Sequence, residues 1–200
     1  KYSNSGLAIA KLSLAVNSRV KRDETWQEEG HFFDAVFMGR GAEAVAQYLV
    51  KGKQIAIRIS STESWMRWAT PEWVRDAGAK GYNFTVGKGV DPNGPYWEPD
   101  YKDPVFLDKL DHFLAALAKR YDGNPNVAFI DIGSFGVWGE GHSWASSKLP
   151  FDIEARKAHV DLYCKHFQRT LLAISDDFAG PQEPGAHLPI TDYALSKGVT

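Results

Sequence analysis

The stretch "YLVKGKQIAIRISSTESWMRW", residues 48–68, lies where two sequence patterns meet. It begins with the end of a short amphipathic helix, closed by Gly52, and continues into the apolar strand "KQIAI". That strand suits the β-rich pattern before it and the strand–helix alternation after it, whereas the sequence after Ile57 suits only the second pattern. We therefore predict two incomplete segments, residues 1–57 and 58–200, which join near residues 51–58.

The composition restricts the class of protein more than its function. At 200 residues and 44% hydrophobic, the chain can bury one large core or two small ones. A net charge of −2 gives no global attraction to nucleic acid or membranes, so such binding would need a local patch. Cys164 is the only cysteine, which excludes a disulfide framework. We find no apolar run long enough to span a membrane, and no leader in which charged residues precede an apolar stretch. The sequence begins with Lys1 rather than with Met, which suggests a cut or processed chain.

The first segment has the pattern of a small antiparallel β domain. "LAIAKLSLAVN" alternates apolar and polar residues and predicts a strand, and "HFFDAVFMG" predicts another. The charged "SRVKRDETWQEEG" between them predicts a loop or hairpin tip. "GAEAVAQYLVKG" has helical spacing and precedes the strand "KQIAIRI". Antiparallel strands with one helix favour a Greek-key barrel.

These residues resemble the central part of bacterial single-stranded DNA-binding proteins of the OB-fold family. The resemblance implies a homo-oligomer that stacks bases on aromatic rings and contacts phosphates with basic residues, in the cytoplasm. Two positions where the family stacks bases hold Val20 and Met38 here, which have no aromatic face. The candidate nucleic-acid-binding residues are Arg19, Lys21, Arg22, Trp26, Phe32 and Arg40.

The second segment alternates strands and helices, which predicts an α/β fold with a parallel sheet or a partial (β/α) barrel of the TIM type. Thr70 is predicted to cap a helix that begins at Pro71. The apolar positions of "DPVFLDKLDHFLAALAKRY" predict a long amphipathic helix. His159 and His166 share one face of another predicted helix, where histidines are more often packed or solvated than ligands.

A second resemblance rests on "NPNVAFIDIGSFGVWGEGHSW", "ATPEWV" and "LLAISDDFAG". Together they are similar to a (β/α)8-barrel glycoside hydrolase-like family related to β-galactosidases. The resemblance implies that Glu140, after a buried strand, is a general acid/base, because a glycosidic oxygen leaves only when it is protonated. The candidate substrate-binding residues are Arg58, Glu63, Trp65, Trp138, Trp144, Asp176 and Asp177.

Glycoside hydrolysis normally requires a second carboxylate, and the strand expected to carry it lies beyond Thr200. The first hypothesis is therefore a carbohydrate-active fragment that is not a competent hydrolase by itself, secreted or periplasmic. The second is a single-stranded DNA-binding module, and the third is an inactive chimeric or truncated chain. None of them requires a cofactor or a metal, and exposed β edges of the first segment would allow a homo-oligomer.

Overall fold

The structure, a computed structural model, describes residues 9–22, 25–38, 54–87, 89–180 and 190–200, the first two ranges by their backbone alone. The chain divides into two compact units. The first comprises Lys1–Ile55 with Asn124–Asn126, and the second comprises Ala56–Gly123 with Val127–Thr200. The helix predicted over residues 41–52 lies outside the described residues.

The first unit contains a long two-stranded antiparallel ribbon. Strand β1 spans Ile9–Arg22 and strand β2 spans Thr25–Met38. Their register runs from Ile9 opposite Met38 to Arg22 opposite Thr25 without a break. The prediction of a loop or hairpin tip over residues 18–30 is therefore wrong for residues 18–22 and 25–30, which are strand. In this register Arg19 lies opposite Glu28.

The second unit is built around a three-stranded sheet in the order β3–β7–β8. These strands are Ile55–Arg58, Val127–Asp131 and Leu171–Ala173, and β7 and β8 are parallel. Helix α3 (Ile153–His166) connects β7 to β8, the usual crossover between parallel strands. A second sheet has the order β5–β4–β6 and is antiparallel, with strands Gly89–Val90, Gly81–Thr85 and Tyr96–Pro99.

Four further helices complete the unit: α1 (Glu72–Asp76), α2 (Pro104–Tyr121), α4 (Asp176–Ala179) and α5 (Thr191–Ser196). Helix α2 is the long helix that the sequence predicts. Asp103 caps it by accepting hydrogen bonds from the backbone N–H groups of Val105 and Phe106, both at 3.0 Å. Its apolar face is buried in the core, through Phe106, Leu110, Leu114, Leu117 and Ala118.

The fold prediction is confirmed in its coarser part, because the structure is a mixed α/β chain. No TIM barrel is seen among the described strands, which form three separate sheets. Thr70 does not cap α1, since its hydroxyl is buried and donates to the carbonyl oxygen of Ser61 at 2.8 Å. Within the described ranges, no helix has the length and apolar character needed to cross a membrane.

Candidate functional site

The register of the ribbon sorts the predicted nucleic-acid-binding positions between its two faces. Residues opposite each other across an antiparallel pair share a face, and successive residues alternate between faces. Lys21 lies opposite Trp26, Arg19 opposite Glu28, and Phe32 opposite Ala15. One face therefore carries four of the six candidate positions: Arg19, Lys21, Trp26 and Phe32.

The other face of the ribbon is mostly apolar. It carries the positions of Ala10, Leu12, Leu14, Val16, Phe33, Ala35 and Phe37. Arg22, opposite Thr25, falls on this second face, and Arg40 lies outside the described residues. An apolar face opposite a face with basic and aromatic positions is the pattern of an antiparallel sheet that covers a core with one side and exposes the other to solvent.

In the second unit, ionisable side chains come together from the ends of β3 and β7, from the loop after β7 and from α4, which follows β8. Arg58 donates from Nε to Asp131 Oδ2 at 2.6 Å, and its Nη1 lies 4.0 Å from Glu140 Oε1. His142 Nε2 lies 3.4 Å from Glu140 Oε2 and 3.9 Å from Asp177 Oδ2. The structure thus brings together three of the predicted site residues, Arg58, Glu140 and Asp177, around two that were not predicted.

A glycine-rich loop fixes the positions of Glu140 and His142. Gly136 and Gly141 have φ angles of 85° and 81°, which L side chains rarely adopt. A Cβ on Gly141 would lie 2.2 Å from the Cα of Phe178, so this glycine permits the close approach of the loop to α4. The Ser175 hydroxyl adds a hydrogen bond to the Glu140 carbonyl oxygen at 3.3 Å.

Two tryptophans flank the imidazole of His142. The Trp144 ring stacks on it with centroids 4.8 Å apart, and the Trp138 ring meets it edge-on at 6.0 Å. Trp138 has a φ of 60°, a strained value for this residue type, and donates from Nε1 to Ser64 Oγ at 2.9 Å. Strained residues of this kind cluster at functional sites, which makes the loop a candidate site.

The other predicted substrate-binding residues differ in their surroundings. Burial raises the pKa of Glu63, and the nearby negative charge of Glu140 acts in the same direction. Trp65 is 65% exposed. Asp176 accepts a hydrogen bond from the Asp177 backbone N–H at 3.1 Å, which is a role within α4. Trp144, although it stacks on His142, is mostly exposed.

A cavity of about 580 Å³ opens beside His142 and Asp177. Arg156 lies in its wall, nearly fully buried, with its guanidinium 4.2 Å from the centre of the Phe151 ring and 4.8 Å from that of Phe135. Burial lowers the pKa of Arg156 to about 10. Arg156 donates to the carbonyl oxygens of Asp177 and Phe178, so it also holds α4 in place.

Two buried polar groups lie behind the loop and support it. Glu98, fully buried, accepts hydrogen bonds from the Tyr101 hydroxyl and from the backbone N–H and hydroxyl of Ser147. Burial raises the pKa of Glu98. His159 Nε2 donates a hydrogen bond to the Tyr101 carbonyl oxygen at 2.9 Å, so in the neutral ring Nδ1 accepts one from the Ser134 hydroxyl at 2.8 Å. No sequence pattern points to Glu98, whereas His142 adjoins the "WGEG" motif and could have been predicted from it.

Comparisons with known proteins concern mainly the first third of the chain. The model of the single-strand binding protein family matches residues 1–70. The single-stranded DNA-binding protein of Clostridium perfringens is 34% identical over 113 residues, which cover 49% of this chain and 71% of that protein. That of Treponema pallidum is 44% identical over 68 residues, 34% of this chain and 38% of that protein.

A third relative, the single-stranded DNA-binding protein of Borreliella burgdorferi, is 38% identical over 65 residues, 32% of this chain and 44% of that protein. The chain therefore spans less than half the length of the Treponema and Borreliella proteins. No solved structure matches this chain. The matches agree with the predicted OB-type character of the N-terminal region.

The prediction of a carbohydrate-active fragment is wrong, because the matching family and these relatives are single-strand binding proteins. The glycoside hydrolase resemblance and a carbohydrate partner have no support from them. The site geometry gives a physical reason as well. A glycosidase general acid usually lies in an apolar pocket, whereas the Glu140 side chain is 40% exposed and lies next to Arg58 and His142.

Proposed function

Because the chain belongs to the single-strand binding protein family, we propose that its N-terminal region binds single-stranded DNA. The observation that carries the proposal is the register of the ribbon, which puts the positions of Arg19, Lys21, Trp26 and Phe32 on one face. Basic residues neutralise phosphates and aromatic rings stack on bases, and the two together are what single-strand binding requires.

The spacing of these positions suits an extended strand. Trp26 and Phe32 are six residues apart on β2, which corresponds to about 20 Å along a strand. They would therefore stack on bases that are not adjacent, while Arg19 and Lys21 contact the phosphates between them. The apolar second face would pack on the interior of an OB-type barrel, leaving the first face for DNA.

The first prediction compares two arginines of the same strand. Arg19→Ala should weaken binding to fluorescein-labelled oligo(dT), measured by anisotropy, and should reduce the slope of log K against log [salt] by about 0.7, the value for one phosphate contact on a single strand. Arg22→Ala removes the same charge from the opposite face and should leave the slope unchanged.

Equal effects of the two substitutions would contradict the assignment of the faces. Wild-type anisotropy that does not respond to oligo(dT) at low salt would contradict the proposed function itself. The family also implies self-association, so the mass of the free protein should be measured by light scattering. The number of oligonucleotides bound is then expressed per assembly rather than per chain.

We also propose that residues 1–57 and 58–200 form separate structural units, as the sequence pattern predicts. The division of contacts at Ile55 supports this boundary to within a few residues. Asn124–Asn126 group with the first unit, since Gln54 Nε2 donates to the Pro125 carbonyl oxygen at 2.9 Å and the Ile55 N–H donates to that of Asn126 at 2.7 Å.

Limited proteolysis tests the boundary. Trypsin can cut after Lys51, Lys53 or Arg58, and we expect a fragment that begins near residue 54 and extends to Thr200 to accumulate. Its helices should give the same far-ultraviolet circular dichroism as in the intact chain, because the described helices all lie in the second unit. Digestion of the whole chain without such an intermediate would contradict two separate units.

A further inference from the structure

We propose that Glu140, His142 and Asp177 form a binding site for a divalent transition-metal cation, with Zn²⁺ as the probe. The proposal concerns the second unit and does not depend on DNA binding by the first. It rests on three ligand atoms, one from each residue, that all lie within 4.8 Å of one another.

The distances suit a metal ion. Zinc binds histidine nitrogen and carboxylate oxygen at about 2.0–2.2 Å, and two ligands of a tetrahedral zinc are therefore about 3.4 Å apart. His142 Nε2 already lies 3.4 Å from Glu140 Oε2, and 3.9 Å from Asp177 Oδ2. Small side-chain rotations would bring all three atoms to bonding distance of one ion.

The ligand set selects a class of metal. Ca²⁺ and Mg²⁺ prefer oxygen ligands alone, whereas an imidazole nitrogen with two carboxylates suits Zn²⁺ and related transition metals. Three protein ligands leave at least one position for water. The two carboxylates are 40% and 39% exposed, so an ion can reach them from solvent.

The fold holds the three ligands in place before any ion binds. Gly141, between Glu140 and His142, contacts Phe178 next to Asp177, so the loop and α4 are in direct contact. Stacking on Trp144 orients the imidazole. Because the backbone of the loop and the imidazole are already in place, only the two carboxylates lose conformational entropy when an ion binds.

The neighbouring charge of Arg58 lies on the oxygen of Glu140 that is not the proposed ligand. Arg58 approaches Oε1 of Glu140, whereas His142 lies against Oε2. The shortest ion pair of Arg58 is with Asp131, at 2.6 Å. In the described part of the chain, His142 Nδ1 is buried without a hydrogen-bond partner. The polar contacts of the imidazole are therefore made by Nε2, which lies near the carboxylates of Glu140 and Asp177.

Isothermal titration of the full chain with ZnCl₂ tests the site. We expect one Zn²⁺ per chain that depends on this cluster, and an affinity at least about tenfold lower in His142→Ala and in Glu140→Gln, since even changes around metal ligands cost about 10–100-fold. The matched control is His112→Ala, which removes an exposed histidine 3.9 Å from a single carboxylate, Asp108. It should bind as wild type does.

A second measurement keeps the test independent of folding effects. Paramagnetic Ni²⁺ at His142 should quench the fluorescence of the two adjacent indoles, Trp138 and Trp144. Trp144→Phe should reduce the amplitude of quenching and leave its midpoint unchanged. Circular dichroism verifies that each variant is folded. Zn²⁺ affinity that is the same in His142→Ala, Glu140→Gln and wild type, or no binding at all, would overturn the proposal.

Discussion

Replacing Gly141 by alanine should lower the free energy of unfolding of the second unit by about 4 kcal/mol. The φ of 81° costs an L residue about 1–2 kcal/mol. The new Cβ would also lie 2.2 Å from the Cα and 2.7 Å from the backbone nitrogen of Phe178. Backbone atoms cannot rotate away as a side chain does, so overpacking adds about 1–3 kcal/mol. Urea unfolding followed by circular dichroism at 222 nm measures the loss.

Gly198 is the control for this experiment. It has the same φ of 81°, but a Cβ at this position would meet no atom within 4 Å. Gly198→Ala should therefore cost only about 1–2 kcal/mol, the backbone contribution alone. The difference between the two variants measures the contact between the loop and α4. Equal losses would mean that the loop does not approach Phe178 as closely as the structure describes.

The ribbon illustrates how far sequence patterns predict the fold. Alternation of apolar and polar residues correctly predicted the strands at residues 9–17 and 31–38. Over residues 18–30 it predicted only a loop or hairpin tip, because a charged run without an apolar face is typical of loops. The backbone register nevertheless continues through this run, from Ser18 opposite Glu29 to Arg22 opposite Thr25. Such pairing joins residues that are distant in sequence, so a local pattern does not reveal it.

The sequence predicts that Arg58 and Glu140 line the same site in the second unit. In the structure the glycine-rich loop after a buried strand brings Glu140 Oε1 to 4.0 Å from Arg58 Nη1. Asp131, the stronger partner of Arg58, was missed because it ends an apolar strand and looks like part of it. The hydrolase interpretation was wrong because carboxylates and aromatic residues at the end of a strand serve many chemistries. Position on a fold does not determine function.

The second large effect concerns His159, which was expected only to be packed or solvated. It is fully buried against Tyr101, Phe106 and Phe135. Desolvation lowers its pKa from 6.5 to about 4, and the nearby charge of Arg156 acts in the same direction. The folded state thus binds this proton more weakly than the unfolded state does. Stability from His159 is complete above pH 6.5 and falls as the pH decreases toward 4.

His159→Gln isolates this contribution, because glutamine can donate and accept hydrogen bonds but does not titrate in this range. Wild type should be more stable than the variant at pH 7, and this advantage should shrink by about 2–3 kcal/mol at pH 4.5, at about 1.4 kcal/mol per pH unit.

The raised pKa of Glu98 acts in the opposite direction, since its protonation favours the fold as the pH falls. That contribution is common to both proteins and cancels in their difference. If the stability difference between wild type and His159→Gln is the same at both pH values, His159 is not held neutral by burial, and the packing described around it is incorrect.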